Sequence, residues 1–589
     1  MLAPVGTGVL RYTYPMGDTP AVCLTQDIPP SFRLRARSRA YHGKEDEKEL
    51  EGKEAEDNDK REEDGKEEDE KEEDYGKEEK EQEGLEGEED NEKRQTENKK
   101  REKEKEQKEK ENDKDNDSDN SLQEAPINIL LLGCGDLRKI LFTIHHDARN
   151  ILFLTILIDK TPLTFDFLTD LFPIYYNLYL PPRLASLVAS QARKLVDISD
   201  SLQAWHASPY GGGSLGGGLR FCDSHSLLRV REMWQCWACF DGGNEPANTD
   251  LKAKFEANLA DARDVKADEE RLDSTVSDLV YTAVRSAAPS AQEDDMRHLD
   301  ELHQWFWKSG CVTRHETAAD RREDTQVNPM FGTPDSDGHV RMHWGLDPLL
   351  GFPLAEAFVR NEDEPEPEIW EAEGMTAHAK VVSVVVGSFA LWCQSFQKAW
   401  AERKRKVVMR WFVGDAITFG HTLQGLARGV SSRSTHWYRS RHSFLPLRID
   451  GEDYKPGGSL TTCPAPLSFM VIDTSNLIDD LGALNVLMAT SPLLENSAAA
   501  TIYTEMLTRY HRTYKGEADN LLCGPLSTVA LLLGLVCVEH FTNTAPYPGA
   551  TQDAMAYNWI KYGSALPPDM PSKLYQTYER LRWKRPMAH

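Results

Sequence analysis

The stretch Ile127-Asn-Ile-Leu-Leu-Leu-Gly-Cys-Gly-Asp136 constrains this chain more than any other. An unbroken apolar run of strand length stops at Gly133 and Gly135. Helical spacing takes over at once, with Leu137, Ile140, Leu141 and Ile144 on one face. A strand that feeds a helix through a glycine turn is the opening of a Rossmann-like unit. The fold class read from the sequence is therefore α/β and Rossmann-like.

The rest of the chain divides by composition into five parts. Residues 1–43 read as an extended N-terminal arm, with aromatic, proline and alternating apolar residues in Arg11–Asp27. Residues 44–125 are a Glu/Lys/Asp tract. It holds about 39 acidic and 19 basic side chains, so it carries roughly -20 of the chain's net -28 and leaves the remainder near -8. With almost no apolar side chains to bury, disorder is its expected state. It is either a solvated insertion or an acidic tail that holds a basic partner through salt-sensitive contacts.

Residues 126–245 form the Rossmann-like block, with helical spacing at Leu184–Val196 and across 225–240. Residues 246–405 form a helical middle section with loops. A polar loop is expected over 312–342 and a long helix over 377–403. The basic run Arg403-Lys-Arg-Lys406 suits the C-terminal end of that helix. Residues 406–589 form a C-terminal α/β part. Strands are expected at Val407–Val413 and Leu467–Ile472, and a helix through Ile478, Leu481, Leu484 and Leu487. Further helices are expected near 497–514, near 525–541 and from Pro571 onward.

Composition narrows the setting. The near-neutral folded part carries no nucleic-acid signature, and ten scattered cysteines suit a reducing compartment. No signal peptide is legible. The longest apolar run, Val529–Val538, is half a membrane span and reads as a buried core helix. The expectation is a cytoplasmic protein with no membrane or nucleic-acid partner.

Few constellations could carry chemistry. Gly133-Cys-Gly-Asp136 stands where a phosphate or cofactor turn would stand, because glycines let a ligand approach the backbone and the helix N-terminus offers free N–H groups. The third glycine of G-x-G-x-x-G is replaced by Arg138. The turn resembles the first motif of S-adenosylmethionine-dependent methyltransferases, which makes Gly133, Gly135 and Asp136 candidate cofactor residues; the alternative is a purely structural turn. A Rossmann site adds an acid at its second strand tip. Asp159 fills that role only if the apolar run Ile151–Ile158 is a strand. Asp473-Thr-Ser-Asn476 follows a later strand, so Asp473 and Asn476 either face the glycine turn or cap the next helix.

Other matches fail on context. Gly212-Gly-Ser-Leu-Gly216 lacks the strand and helix of a nucleophile elbow. Cys236-Trp-Ala-Cys239 has no second ligand pair, and His315-Glu316 has no second histidine. Neither implies a metal, no Walker A sequence exists, and no catalytic residue is assigned.

Five segments together carry a resemblance: Tyr14–Asp27, Ile129–Ile144, Ala148–Thr155, Ala204-Trp-His206 and Val471–Leu477. They resemble an uncharacterised domain family that occurs in fungal proteins, some with a MYND-type zinc finger, and at the N-terminus of dynein axonemal assembly factor three. That family is similar to methyltransferases in fold. The resemblance implies a methyltransferase-like sheet and a protein that acts through partner proteins, as the animal members do in preassembly of ciliary dynein arms. This chain departs from the family in having no MYND finger. It departs again where His145-His-Asp147 runs straight into Ala148, omitting the second strand and its acid. By the same comparison, 149–158 is helix. The rival expectation is a methyltransferase using S-adenosylmethionine.

Overall fold

The computed structural model describes residues 24, 28, 127–133, 140, 165–211, 218–240, 249–261, parts of 298–312, 326–334, 340–342, 352, 354, 357, 377–401, 408–430, 437–440, 443–454, 464–508, 514–542 and 577–586. These belong to one compact unit formed by Met1–Ile28 and Ile127–His589; Pro29–Pro126 form a second. The acidic tract, most of the arm, the run Ile151–Ile158 with Asp159, and His315-Glu316 lie outside the described residues.

The chain opens with strand β1 (Ile129–Leu131), helix α1 (Phe165–Tyr176), β2 (Tyr179–Leu180), α2 (Pro182–Asp197) and α3 (Leu202–Ala207). Next come β3 (Leu219–Phe221), α4 (Ser224–Ala238), and the short strands β4 (Gln326–Val327), β5 (Gly332–Pro334) and β6 (Val340–Met342). The long helix α5 (Ala377–Ala401) leads to β7 (Met409–Trp411), α6 (Ala416–Ala427) and a hairpin of β8 (Tyr438–Ser440) and β9 (Ser443–Pro446). The last part holds β10 (Val471–Asp473), α7 (Leu477–Leu481), α8 (Ala483–Thr490), β11 (Thr501–Thr508) and α9 (Tyr514–Leu521). It ends with α10 (Leu526–Leu532), β12 (Val536–Cys537), α11 (Val538–Thr542) and β13 (Thr577–Lys584).

The α/β class expected from the sequence holds. A five-stranded mixed sheet runs β1-β10-β11-β13-β12. The first three strands are parallel, and β13 is antiparallel to both of its neighbours. Period-two alternation divides its faces. Leu130, Ile472, Ile502, Met506, Leu581 and Trp583 stand in one apolar core with α6, α7 and α8. A second core gathers α1, α2, α4 and α5 around aromatic side chains. There Trp205, fully buried, stacks on Trp234 with ring centroids 5.4 Å apart and donates its indole N–H to the Leu219 carbonyl at 2.8 Å. A parallel pair, β3 with β7, lies beside this core.

Helix α5 is long and apolar enough to cross a membrane over Ala379–Gln397. Its stripe Val381, Val385, Phe389, Trp392 and Phe396 is buried in the aromatic core, with Phe389 edge-on to Phe172 at 5.7 Å.

Three helical expectations fail. The described residues of 497–514 hold strand β11, and those after Pro571 hold strand β13. β11 is buried on both faces over Thr501–Met506 and β13 alternates buried Leu581 and Trp583 with half-buried arginines, and cross-strand pairing overrides their helix-forming Glu, Leu, Met and Arg content. Residues 525–541 are no single buried helix. The run breaks at Gly534 (φ +64°) into α10, β12 and α11, leaving Leu531 and Leu532 79% and 80% exposed. The supposed loop 312–342 holds three short strands and the buried Asn328, whose amide donates to the Ile174 and Asn177 carbonyls at 2.7 and 2.8 Å.

The buried Trp583 indole on β13 donates to Thr504 Oγ1 on β11 at 3.0 Å. Thr504→Val keeps the shape and strands that N–H. It lowers stability by about 1–3 kcal/mol in urea denaturation, whereas Thr504→Ser, which keeps the acceptor, costs less than half as much.

Candidate functional site

Two parallel-strand ends bring polar side chains together. The first contains the glycine turn. Strands β1 and β10 are neighbours with Leu131 opposite Asp473, and the Leu132 N–H donates to the Asp473 carbonyl at 2.8 Å. Gly133 and the Asp473–Asn476 turn therefore lie side by side, at the same ends of two neighbouring parallel strands. Gly135 and Asp136 lie outside the described residues.

Gly133 has φ +71°, a conformation that glycine adopts without the Cβ clash other residues suffer. A Cβ there would meet Leu477 Cγ at 2.9 Å, so the first residue of α7 fills the space over the turn. Asn476 stands at the N-cap of α7 but makes no side-chain capping bond. Asp473 Oδ1 instead accepts the Ser475 N–H at 3.1 Å, closing the local turn.

The other oxygen of Asp473 is bonded to a residue that sequence reasoning missed. Arg580, on β13, donates to Asp473 Oδ2 at 2.7 Å and reaches Glu505 Oε1 at 3.4 Å. Its guanidinium lies 4.2 Å from the centroid of the Tyr503 ring. All three acceptor groups are buried. Next to them, Arg582 pairs with Glu539 at 2.7 Å, and Glu539 also accepts the Arg582 backbone N–H at 2.8 Å.

The second crevice lies at the ends of β3 and β7, each followed by a helix. Asp223 and Asp415 cap α4 and α6, accepting the Ser226 and Thr418 N–H groups at 2.7 and 3.0 Å. Arg439 from β8 pairs with Asp223, donates to the Val413 carbonyl at 2.6 Å and lies over the Phe412 ring. On the strands themselves, Arg220 and Arg410 are directly opposite, a repulsive arrangement. Asp453 resolves it by pairing with both, to Arg410 at 2.8 Å.

His206, on α3, adjoins this cluster. Burial and then the Arg220 guanidinium hold its imidazole below the ordinary value, against the opposing pull of Asp453 and Glu452. The thiols of the sequence's lone C-x-x-C sit at the end of α4. Burial pushes Cys236 up to about 12 and raises Cys239, which favours protonated core thiols over thiolate ligands. Among the described residues no cluster of three metal-ligating side chains occurs.

Two expected outcomes follow. Gly133→Ala costs about 1–3 kcal/mol in denaturant unfolding, through its φ and the collision with Leu477. Adding Leu477→Ala recovers the collision part, so the double variant costs less than the two single changes together. For His206, the folded-state pKa lies below 6.5, so its contribution is full above that pH. As pH falls through 6.5 the unfolded chain takes up the proton first and stability drops. His206→Gln makes the fall in urea midpoint between about pH 7.5 and 5.5 shallower. No family model matches this chain, and no curated protein and no solved structure matches it.

Proposed function

We propose that this chain is a non-catalytic, Rossmann-like scaffold of the assembly-factor-like kind, acting in the cytoplasm through contacts with partner proteins. One observation carries the reading: the strand-end crevice where a cofactor would bind is filled by the chain itself. Leu477 occupies the space over Gly133, and Arg580 holds the Asp473 carboxylate. A ligand hydroxyl or amine seeking Asp473 would have to displace a buried guanidinium, leaving an uncompensated charge. Among the described residues the filled space over Gly133 and the paired Asp473 speak against S-adenosylmethionine, and no reaction step is built on it.

A second reading, a methyltransferase, draws on the sheet. The last strand of the chain, β13, is inserted antiparallel between the parallel run and β12. That order suits the methyltransferase-like sheet that the resemblance implies. It supports a shared architecture and says nothing of activity, since sites rather than folds carry function.

The deciding experiment is a thermal unfolding scan of the full chain with and without millimolar S-adenosylmethionine. A ligand at about 100 times its dissociation constant stabilises by about 2.7 kcal/mol. The expected outcome is an unchanged midpoint. A rise in midpoint that Gly133→Ala abolishes replaces the scaffold with the methyltransferase.

A further inference from the structure

The N-terminal arm carries two deeply buried apolar side chains, Leu24 and Ile28, which are 2% and 4% exposed. Just past Ile28 the chain leaves its compact unit. Pro29–Pro126 form a unit of their own, and Ile127 brings the chain back to the first unit, directly before β1. A proline stands at each end of the inserted unit, where a ring without an N–H interrupts backbone pairing. The inserted unit holds the Glu/Lys/Asp tract, whose composition supplies little apolar surface for Leu24 and Ile28 to bury against. Met1–Ile28 belong instead to the unit of Ile127–His589. Neither Leu24 nor Ile28 stands among the side chains of the two apolar cores of that unit.

We propose that the segment ending at Leu24 and Ile28 is a separable arm, an intramolecular ligand that docks on the Ile127–His589 body through these two side chains. The inference goes beyond the scaffold reading and holds equally for a methyltransferase body. The inserted unit ties the arm covalently to the surface it occupies and so raises its effective concentration there. The two apolar side chains supply the affinity that remains when that tie is cut, and burial of apolar surface is not screened by salt.

The test places a site-specific protease sequence between Asp57 and Asn58 of the full chain and cuts it under native conditions. Size-exclusion chromatography then shows where the N-terminal fragment elutes. The expected result is co-elution with the body, unchanged in about 1 M salt, where charge contacts are screened beyond about 3 Å. In Leu24→Ala with Ile28→Ala the co-eluting fraction falls about tenfold or more, and the released body keeps a cooperative melting transition. A wild-type fragment that elutes alone overturns the docking, as does equal retention by the variant. Release in high salt assigns the retention to charged contacts and overturns the apolar anchor. A body that loses its cooperative transition when the arm leaves makes the arm part of the core rather than its ligand. An uncut chain that elutes as a dimer and becomes monomeric on cutting assigns the arm to a second copy. Either of these last two results also overturns the proposal.

Discussion

The ion pair between Arg580 and Asp473 holds together parts of the chain that have little else in common. Asp473 ends the second strand of the sheet, and Arg580 lies on the last strand, 107 residues further on. A carboxylate buried this deeply costs several kcal/mol unless a counter-charge and hydrogen bonds meet it. Arg580 meets it, reaches Glu505 on the strand between and covers the Tyr503 ring. The sheet is thus incomplete until the C-terminal segment arrives. Contacts of such sequence separation close late, because loop entropy opposes them until the strands pair.

The same device recurs at the other parallel pair. Asp223 stands two residues past the end of its strand, capping the next helix, and an arginine from later in the chain, Arg439, closes over it. Asp453 then binds Arg220 and Arg410 together on the strands behind. In α/β proteins the carboxyl ends of parallel strands are where ligands collect, because helix N-termini and loops leave a crevice there. Here both crevices are satisfied internally. Removing one partner of such a pair is expensive, so a ligand competing for either carboxylate starts with a large deficit.

Much of this architecture was legible in the sequence wherever a single period dominated. The run Ile129–Leu131, the helices α2 and α4 and the long α5 follow from spacing alone. Strand β11 was also written there, in the alternation of Ile502, Thr504 and Met506 with Tyr503 and Glu505, but Glu, Leu and Met pulled the reading toward helix. Strand β13 was harder. Its Arg580 and Arg582 look solvent-facing by type, and only carboxylates on β10, β11 and α11 make them interior. The candidate turn was half legible. Its position beside Asp473 follows from strand logic, whereas the filling of that space by Leu477 depends on a helix whose placement no local pattern states.

Charge is distributed unevenly enough to direct encounters. The acidic tract carries roughly -20, the rest about -8, and the stretch between Asp415 and Asp450 is purely cationic. At physiological salt the Debye length is about 8 Å, so an approaching chain responds to the patch it touches more than to the total. Trp437, just before β8, stacks on His421 of α6, whose other side, through Phe419 and Leu423, is fixed in the core.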